Sequence, residues 1–157
     1  GNYGFIPQTL SEDGDPLDIL VIAPVPVVPG AVIRCRPVGA LVMKDQAGPD
    51  EKVLAVPVDE LHPFYTGIRS YRDLPSILCQ QIAHFFQHYK DLEKGKWTQL
   101  DDWIDVAATK RLIVGAITMP LCCFLSAWRA PFRHLFALPA TCVLVGVVGL
   151  LLGWVQP

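Results

Sequence analysis

No acidic residue follows Asp105: all 15 aspartates and glutamates lie between Glu12 and Asp105. Nine of the 13 lysines and arginines share that stretch, which leaves it at net −6, and only Lys110, Arg111, Arg129 and Arg133 carry charge after it. Two compositions therefore share one chain, a charged part and an apolar part. Also missing is any CxxC pair. The five cysteines (Cys35, Cys79, Cys122, Cys123, Cys142) are odd in number and irregularly spaced, which argues against a disulfide framework and for free thiols in a reducing, cytoplasmic setting. There is no signal peptide, internal repeat or low-complexity tract. There is no initiator methionine either, and the opening "GNYGFIP" starts in mid-pattern, so the sequence reads as a fragment. At 157 residues and 52% apolar composition, it suits one domain with a substantial core.

Short apolar runs closed by prolines and glycines come first. "LDILVIAPV" (17–25) reads as a buried strand. "GAVIRCRPVGALVMKD" (30–45) reads as a strand, a break at Pro37-Val38-Gly39, and a second strand, "ALVM". "KVLAVPV" (52–58) is a third clear strand, and the set predicts a small barrel rather than a parallel sheet. The period then changes. Asp73 is placed as an N-cap with Pro75 in the first turn. Leu78, Ile82, Phe85, Phe86 and Tyr89 follow as a helical stripe, in a helix expected to end at Gly95. A second helix is expected to start near Trp103. In the tail, Leu112–Trp128 is uncharged, and Leu135–Val155 gives 21 residues without a charge, about 31 Å as a helix and enough to cross a bilayer.

The chemistry concentrates in three clusters. "DGDPLD" crowds Asp13, Asp15 and Asp18 at the mouth of an apolar strand. Like charges so close repel and raise one another's pKa unless compensated, and a hard divalent cation such as Mg²⁺ is the usual compensation. The competing reading is a solvated turn, since Asp-Gly and proline are turn chemistry. An EF-hand is excluded: counting Asp13 as the first loop position puts Asp18 where glycine belongs and Pro24 where the bidentate glutamate belongs. "KDQAGPDEK" offers Asp45, Asp50 and Lys52 in a turn between strands, where an acidic hairpin loop is the plain alternative. "HYKDLEKGKW" places Tyr89 and Lys90 at a helix end, where cations are favoured in any case. Together the clusters supply carboxylates for hard cations, with lysines and phenols for a small polyanion.

Those residues carry a resemblance. "NYGFIPQTLSEDGDPLDILVI", "PGAVIRCRPVGALVMKDQAGPDEKVLAVP" and "DLPSILCQQIAHFFQHYKDLEKGKW" resemble the soluble family I inorganic pyrophosphatases, collinearly from Asn2 to about Ile113. Asp13 to Ile19 meets the family signature D-[GSN]-D-P-x-D-[VIL]. The resemblance implies a mainly β fold with helices, a small OB-like barrel flanked by helices over 1–113, incomplete at its N-terminus and followed by an apolar helical tail over 114–157. It implies Mg²⁺-dependent hydrolysis of pyrophosphate, with Asp13, Asp18 and Asp50 as metal ligands and Asp45 as a further one. Asp15 is implied as general base, Lys52, Tyr89 and Lys90 as phosphate-binding groups, Tyr3 as another active-site phenol, and a homo-oligomer as the assembly.

Two departures from the family pattern stand out. The family carries about a third of its barrel before "NYG", a part that brings a Glu, a Lys and an Arg to the site. Its charged final helix is here replaced by the apolar tail, either a membrane contact through 135–155 or out-of-frame sequence. The alternative function is accordingly a truncated or membrane-tethered relative that binds metal or a partner without turnover. His62, His84 and His88 are given no role, although His84 and His88 are spaced as a helical metal pair. Arg34 and Arg36 alternate on a strand as a nucleic-acid patch would, but the −6 balance argues against nucleic acid.

Overall fold

Six strands and two α-helices appear in a computed structural model that describes residues 1–128, and side-chain surroundings through residue 118. The strands are β1 (Asn2–Phe5), β2 (Asp18–Val21), β3 (Cys35–Asp45), β4 (Gly48–Pro49), β5 (Lys52–Pro57) and β6 (Thr98–Ile104); the helices are α1 (Ser76–His88) and α2 (Val106–Trp128). The sheet runs β1-β2-β5-β3-β4, with β6 also on β3. Every pairing is antiparallel except β2 with β5, a parallel pair that the sequence did not lead us to expect. The mainly β class with flanking helices is as expected. Residues Gly1–Cys123 make one compact unit. The apolar stretch 135–155, and most of the 114–157 tail, lie outside the described residues. Among those described, no helix is long and apolar enough to cross a membrane.

β5 is buried along its whole length because both faces are covered, which is why it reads as a continuous apolar run. Leu54 and Val56 join Leu41, Met43, Ile82 and Phe86 in one core, on the side of α1. Val53 turns the other way and meets Leu17 and Ala116, with Leu112 and Ile113 of α2 beside them. The period of two then decides where polar residues fall. Lys52 shares a face with Leu54, Asp45 with Met43 and Asp18 with Leu20, so three charged residues continue the apolar face of the α1 core at the strand ends.

Several boundaries differ from the sequence reading. β3 is unbroken over 11 residues. The expected break at Pro37–Gly39 survives only as a register shift against β5, a bulge that absorbs the missing proline N–H. Asp73 does not cap α1; its carboxylate accepts the N–H groups of Arg69 and Ser70, both at 2.8 Å, in a capping box on a short 3₁₀ turn. α1 stops at His88 rather than Gly95, because Tyr89 to Gly95 fold into turns, with Gly95 at φ 80°. Trp103 lies in β6, not in a helix. α2 starts after Asp105, which accepts the Ala108 N–H at 2.7 Å.

At the bulge, Gly39 makes room for Tyr71, which stacks on Trp103 with ring centroids 5.4 Å apart. A Cβ on residue 39 would meet Tyr71 Cδ1 at 2.7 Å and the Ile104 carbonyl oxygen at 3.0 Å. Gly39→Ala is therefore expected to lower unfolding free energy by about 1–3 kcal/mol in urea titration, the usual range for overpacking. A loss under about 0.5 kcal/mol would show the stack to be free to move.

The end of α1 is tied to the sheet by Lys90, whose ammonium pairs with Asp45. Burial works to raise the Asp45 carboxyl pKa, but the hydrogen bonds from Lys90 and Ala47 outweigh it and hold the group below its ordinary value. The stabilisation is thus present above the ordinary carboxyl pKa and is lost as pH falls through the lower folded value. Asp45→Asn should cost about 1.5–3 kcal/mol at neutral pH, the range for hydrogen bonds to charged groups. Its stability curve should close on that of the parent as pH falls below the ordinary carboxyl range, to a pH at which Asp45 is protonated in both states. Parallel curves down to that pH would contradict the assignment.

Candidate functional site

The parallel register of β2 on β5 sets Asp18 beside Lys52. Lys52 is 4% exposed and donates to Asp18 Oδ2 at 2.6 Å and to Asp50 Oδ1, so a single ammonium bridges two carboxylates. From β1, the Tyr3 hydroxyl donates to the same Asp18 oxygen at 2.5 Å. Both bonds fall on Oδ2, which leaves Asp18 Oδ1 and Asp50 Oδ2 uncommitted among the described residues. Burial works to lower the Lys52 pKa, but the two carboxylates outweigh it and keep the ammonium charged well beyond neutral pH. Burial first, then the bond to Asp18, push the Tyr3 phenol far above its usual value, so it remains a donor.

Beneath the ions lies an aromatic floor. Lys52 Nζ is 5.7 Å from the Phe86 ring centroid and 5.8 Å from that of Tyr3, within cation–π range. Phe86 touches Tyr3 at 6.2 Å and Tyr89 at 5.6 Å, and Lys90 lies 5.1 Å from the Tyr89 ring. The helical stripe thus supplies core and site floor from one face, and through it Tyr89, Lys90 and Asp45 adjoin the Tyr3–Asp18–Lys52–Asp50 group.

Asp13 and Asp15 stand on the exposed loop between β1 and β2, where the Asp15 N–H donates to Asp13 Oδ1 at 3.1 Å. Neither makes a side-chain bond to the Lys52 group. The loops are nonetheless neighbours electrostatically: burial, then the charges of Glu12, Asp50 and Asp13, push the Glu51 carboxyl up. We did not single out Glu51 from the sequence. Its signal was its place between Asp50 and Lys52, immediately before β5.

The other candidates resolve into structure. Arg36 is spent inside the fold, donating to Asp59 and to the carbonyls of Tyr65 and Ile68, the last two at 2.5 Å. His88 Nδ1 meets Asp91 at 2.9 Å, with the His84 ring 4.5 Å away. Among the described residues, no three histidine, cysteine or carboxylate groups converge closely enough to cage a metal ion unaided, the His84–His88 pair included.

Known proteins share this arrangement of strands and sequence. The inorganic pyrophosphatase family model matches residues 1–119. The inorganic pyrophosphatase of Caulobacter vibrioides is 68% identical over 116 residues, which are 74% of this chain and 66% of that protein. That of Agrobacterium fabrum is 55% identical over 117 residues, with the same shares of both chains. The chain thus spans just under two thirds of the length of these curated relatives. Among solved structures, an inorganic phosphatase from Anaplasma phagocytophilum superposes with a TM-score of 0.72 at 53% identity, covering 73% of this chain and 67% of the other. The inorganic pyrophosphatase from Thermus thermophilus gives a TM-score of 0.70 at 43% identity, covering 74% and 67%. With a family match over most of its length, and Asp18 and Asp50 joined through Lys52 in the matching fold, the chain belongs to the inorganic pyrophosphatase family.

Proposed function

We propose that the chain carries the catalytic carboxylates of an Mg²⁺-dependent inorganic diphosphatase, which splits pyrophosphate with water into two phosphates. The observation that carries this reading is the Asp18–Lys52–Asp50 bridge with Tyr3 on its rim, in a chain of this family. The donor set suits a hard cation, because it is all oxygen and two carboxylate oxygens stand uncommitted. Asp13, Asp18 and Asp50 would hold the ion, with Asp45 a further ligand. Bound there, Mg²⁺ supplies positive charge for the substrate and acidity for the attacking water.

The chain's own residues do the rest. Asp15 is exposed and free of ammonium partners, and it takes a proton from the attacking water as general base. Two of the three Lys52 N–H donors are used by Asp18 and Asp50, and the third is offered to a phosphoryl oxygen. Tyr89 donates from its phenol at the same rim, while the single Tyr3 hydroxyl proton stays on Asp18 and fixes that carboxylate. Lys90, paired here with Asp45, would be the group to meet phosphate where Asp45 serves as a ligand. Phosphoryl transfer needs mainly positioning and charge stabilisation, which this set supplies.

The experiment is phosphate release from pyrophosphate with Mg²⁺, then with a chelator in excess. Release should stop on chelation, and activity that persists without metal would refute the reading. Two variants separate the roles. Asp18→Asn should weaken Mg²⁺ binding by about tenfold or more, since it removes a charge from the ligand set. Asp15→Asn should leave Mg²⁺ affinity within about twofold while turnover falls by about 10²–10⁴. Unchanged affinity in Asp18→Asn, read by calorimetry, is the outcome that would overturn the assignment.

A further inference from the structure

The loop that carries the acids, residues 6–17, is fastened by a buried hydroxyl. Thr9 is 6% exposed in a segment whose residues, Leu17 apart, are exposed or half-exposed. Its Oγ1 donates to the Ile6 carbonyl at 2.6 Å and accepts the Leu17 N–H at 2.9 Å. Ile6 follows β1, which carries Tyr3, and Leu17 precedes Asp18, so one hydroxyl joins the loop's two ends. Beside it the Ile6 N–H reaches the Leu17 carbonyl at 2.8 Å. Further out, the Ser11 N–H bonds the Asp15 carbonyl at 2.8 Å. The loop is also moored to α2, where the Leu10 N–H donates to the Ala116 carbonyl at 2.9 Å. That carbonyl is available because its helical donor would be residue 120, a proline without an N–H.

One further sign is conformational. Gln8, next to Thr9, holds φ at 62°, the single non-glycine residue with positive φ among those described. Such a conformation persists where surrounding contacts over-determine it. Here those contacts are the two bonds of Thr9.

We propose that Thr9 is a positioning residue: its hydroxyl holds Asp13, Asp15 and Asp18 in their mutual arrangement against repulsion, before any cation arrives. The inference rests on the proposed metal-binding role of those acids and extends it to a residue outside the acidic set. Without the hydroxyl, the Leu17 N–H and the Ile6 carbonyl lose their partner in a buried place, and the loop spends part of its time open. A cation that binds only the ordered loop then shows an apparent Kd raised by the inverse of the ordered fraction.

The test uses the full chain with three substitutions, and Mg²⁺ alone as probe. Thr9→Val keeps the shape and removes the hydroxyl, Thr9→Ser keeps the hydroxyl, and Thr9→Cys grades between them. Hydrogen exchange without metal reports the loop, and calorimetry reports Mg²⁺ affinity. In Thr9→Val, exchange over residues 6–18 should speed up about tenfold or more while β5 stays protected, and the Mg²⁺ Kd should rise by the inverse of the ordered fraction that the exchange data give. Thr9→Ser should stay within about twofold of the parent in both readouts, a rescue that a purely space-filling role would not give. If the valine form does not fold, the cysteine form decides, with a smaller shift in the same direction. Unchanged exchange and affinity on loss of the hydroxyl, or a serine form as impaired as valine, would overturn the proposal. If the parent itself binds no Mg²⁺, the metal-binding reading fails instead, and the clamp is decided by the exchange data alone.

Discussion

A single ammonium between two carboxylates is the constraint on which the rest depends. Asp18 opens β2 and Asp50 lies just before β5, and the two would repel in a place largely shielded from water. Lys52 holds them together because β2 and β5 run parallel in a register that sets residue 18 beside residue 52. The arrangement is preorganised but not relaxed. Breaking a buried pair by removing one partner commonly costs about 3–5 kcal/mol, since it leaves charge without compensation. Such a site retains a latent demand for positive charge and meets it in the absence of metal with a lysine.

The same strands make the core. Leu54 and Val56 lie two and four residues past Lys52 on one face, and Met43 lies two before Asp45. Each strand is apolar in its middle and charged at one end, so the hydrophobic face that packs α1 also aims the charges. Phe86 sits at that boundary, 3% exposed in the core and within cation–π reach of Lys52. Packing therefore fixes the site, and a displacement of α1 would shift the floor beneath the ions. Behind the sheet, Leu17 and Val53 meet α2 in a second core, which steadies the loop that carries Asp13 and Asp15.

What the sequence disclosed follows from what it records locally. β5 was legible because a strand buried on both faces must be apolar throughout, and α1 because five apolar residues recur at helical spacing. The acids were legible because three carboxylates in six positions need a reason. β1 was missed because four residues with an internal glycine show no period. β6 was missed because Asp101-Asp102 interrupts its alternation at a register shift against β3. The bulge at Gly39 looked like a strand end because proline and glycine mark both. The Asp18–Lys52 bridge spans 34 residues and exists only through parallel pairing, which no local pattern encodes. Thr9 escaped notice for the same reason: its partners are set by how the loop closes.

In the proposed function, Lys52 holds the Asp18–Asp50 pair in the place that a divalent cation would take. The direct measurement is the rise in melting temperature on adding Mg²⁺ to the parent and to Lys52→Met. Loss of the ammonium should lower the melting temperature without metal. It should also enlarge the Mg²⁺-induced rise and tighten Mg²⁺ binding by about tenfold, because the cation then supplies the missing charge. Equal Mg²⁺-induced rises in the two proteins, or a smaller one in Lys52→Met, would contradict it.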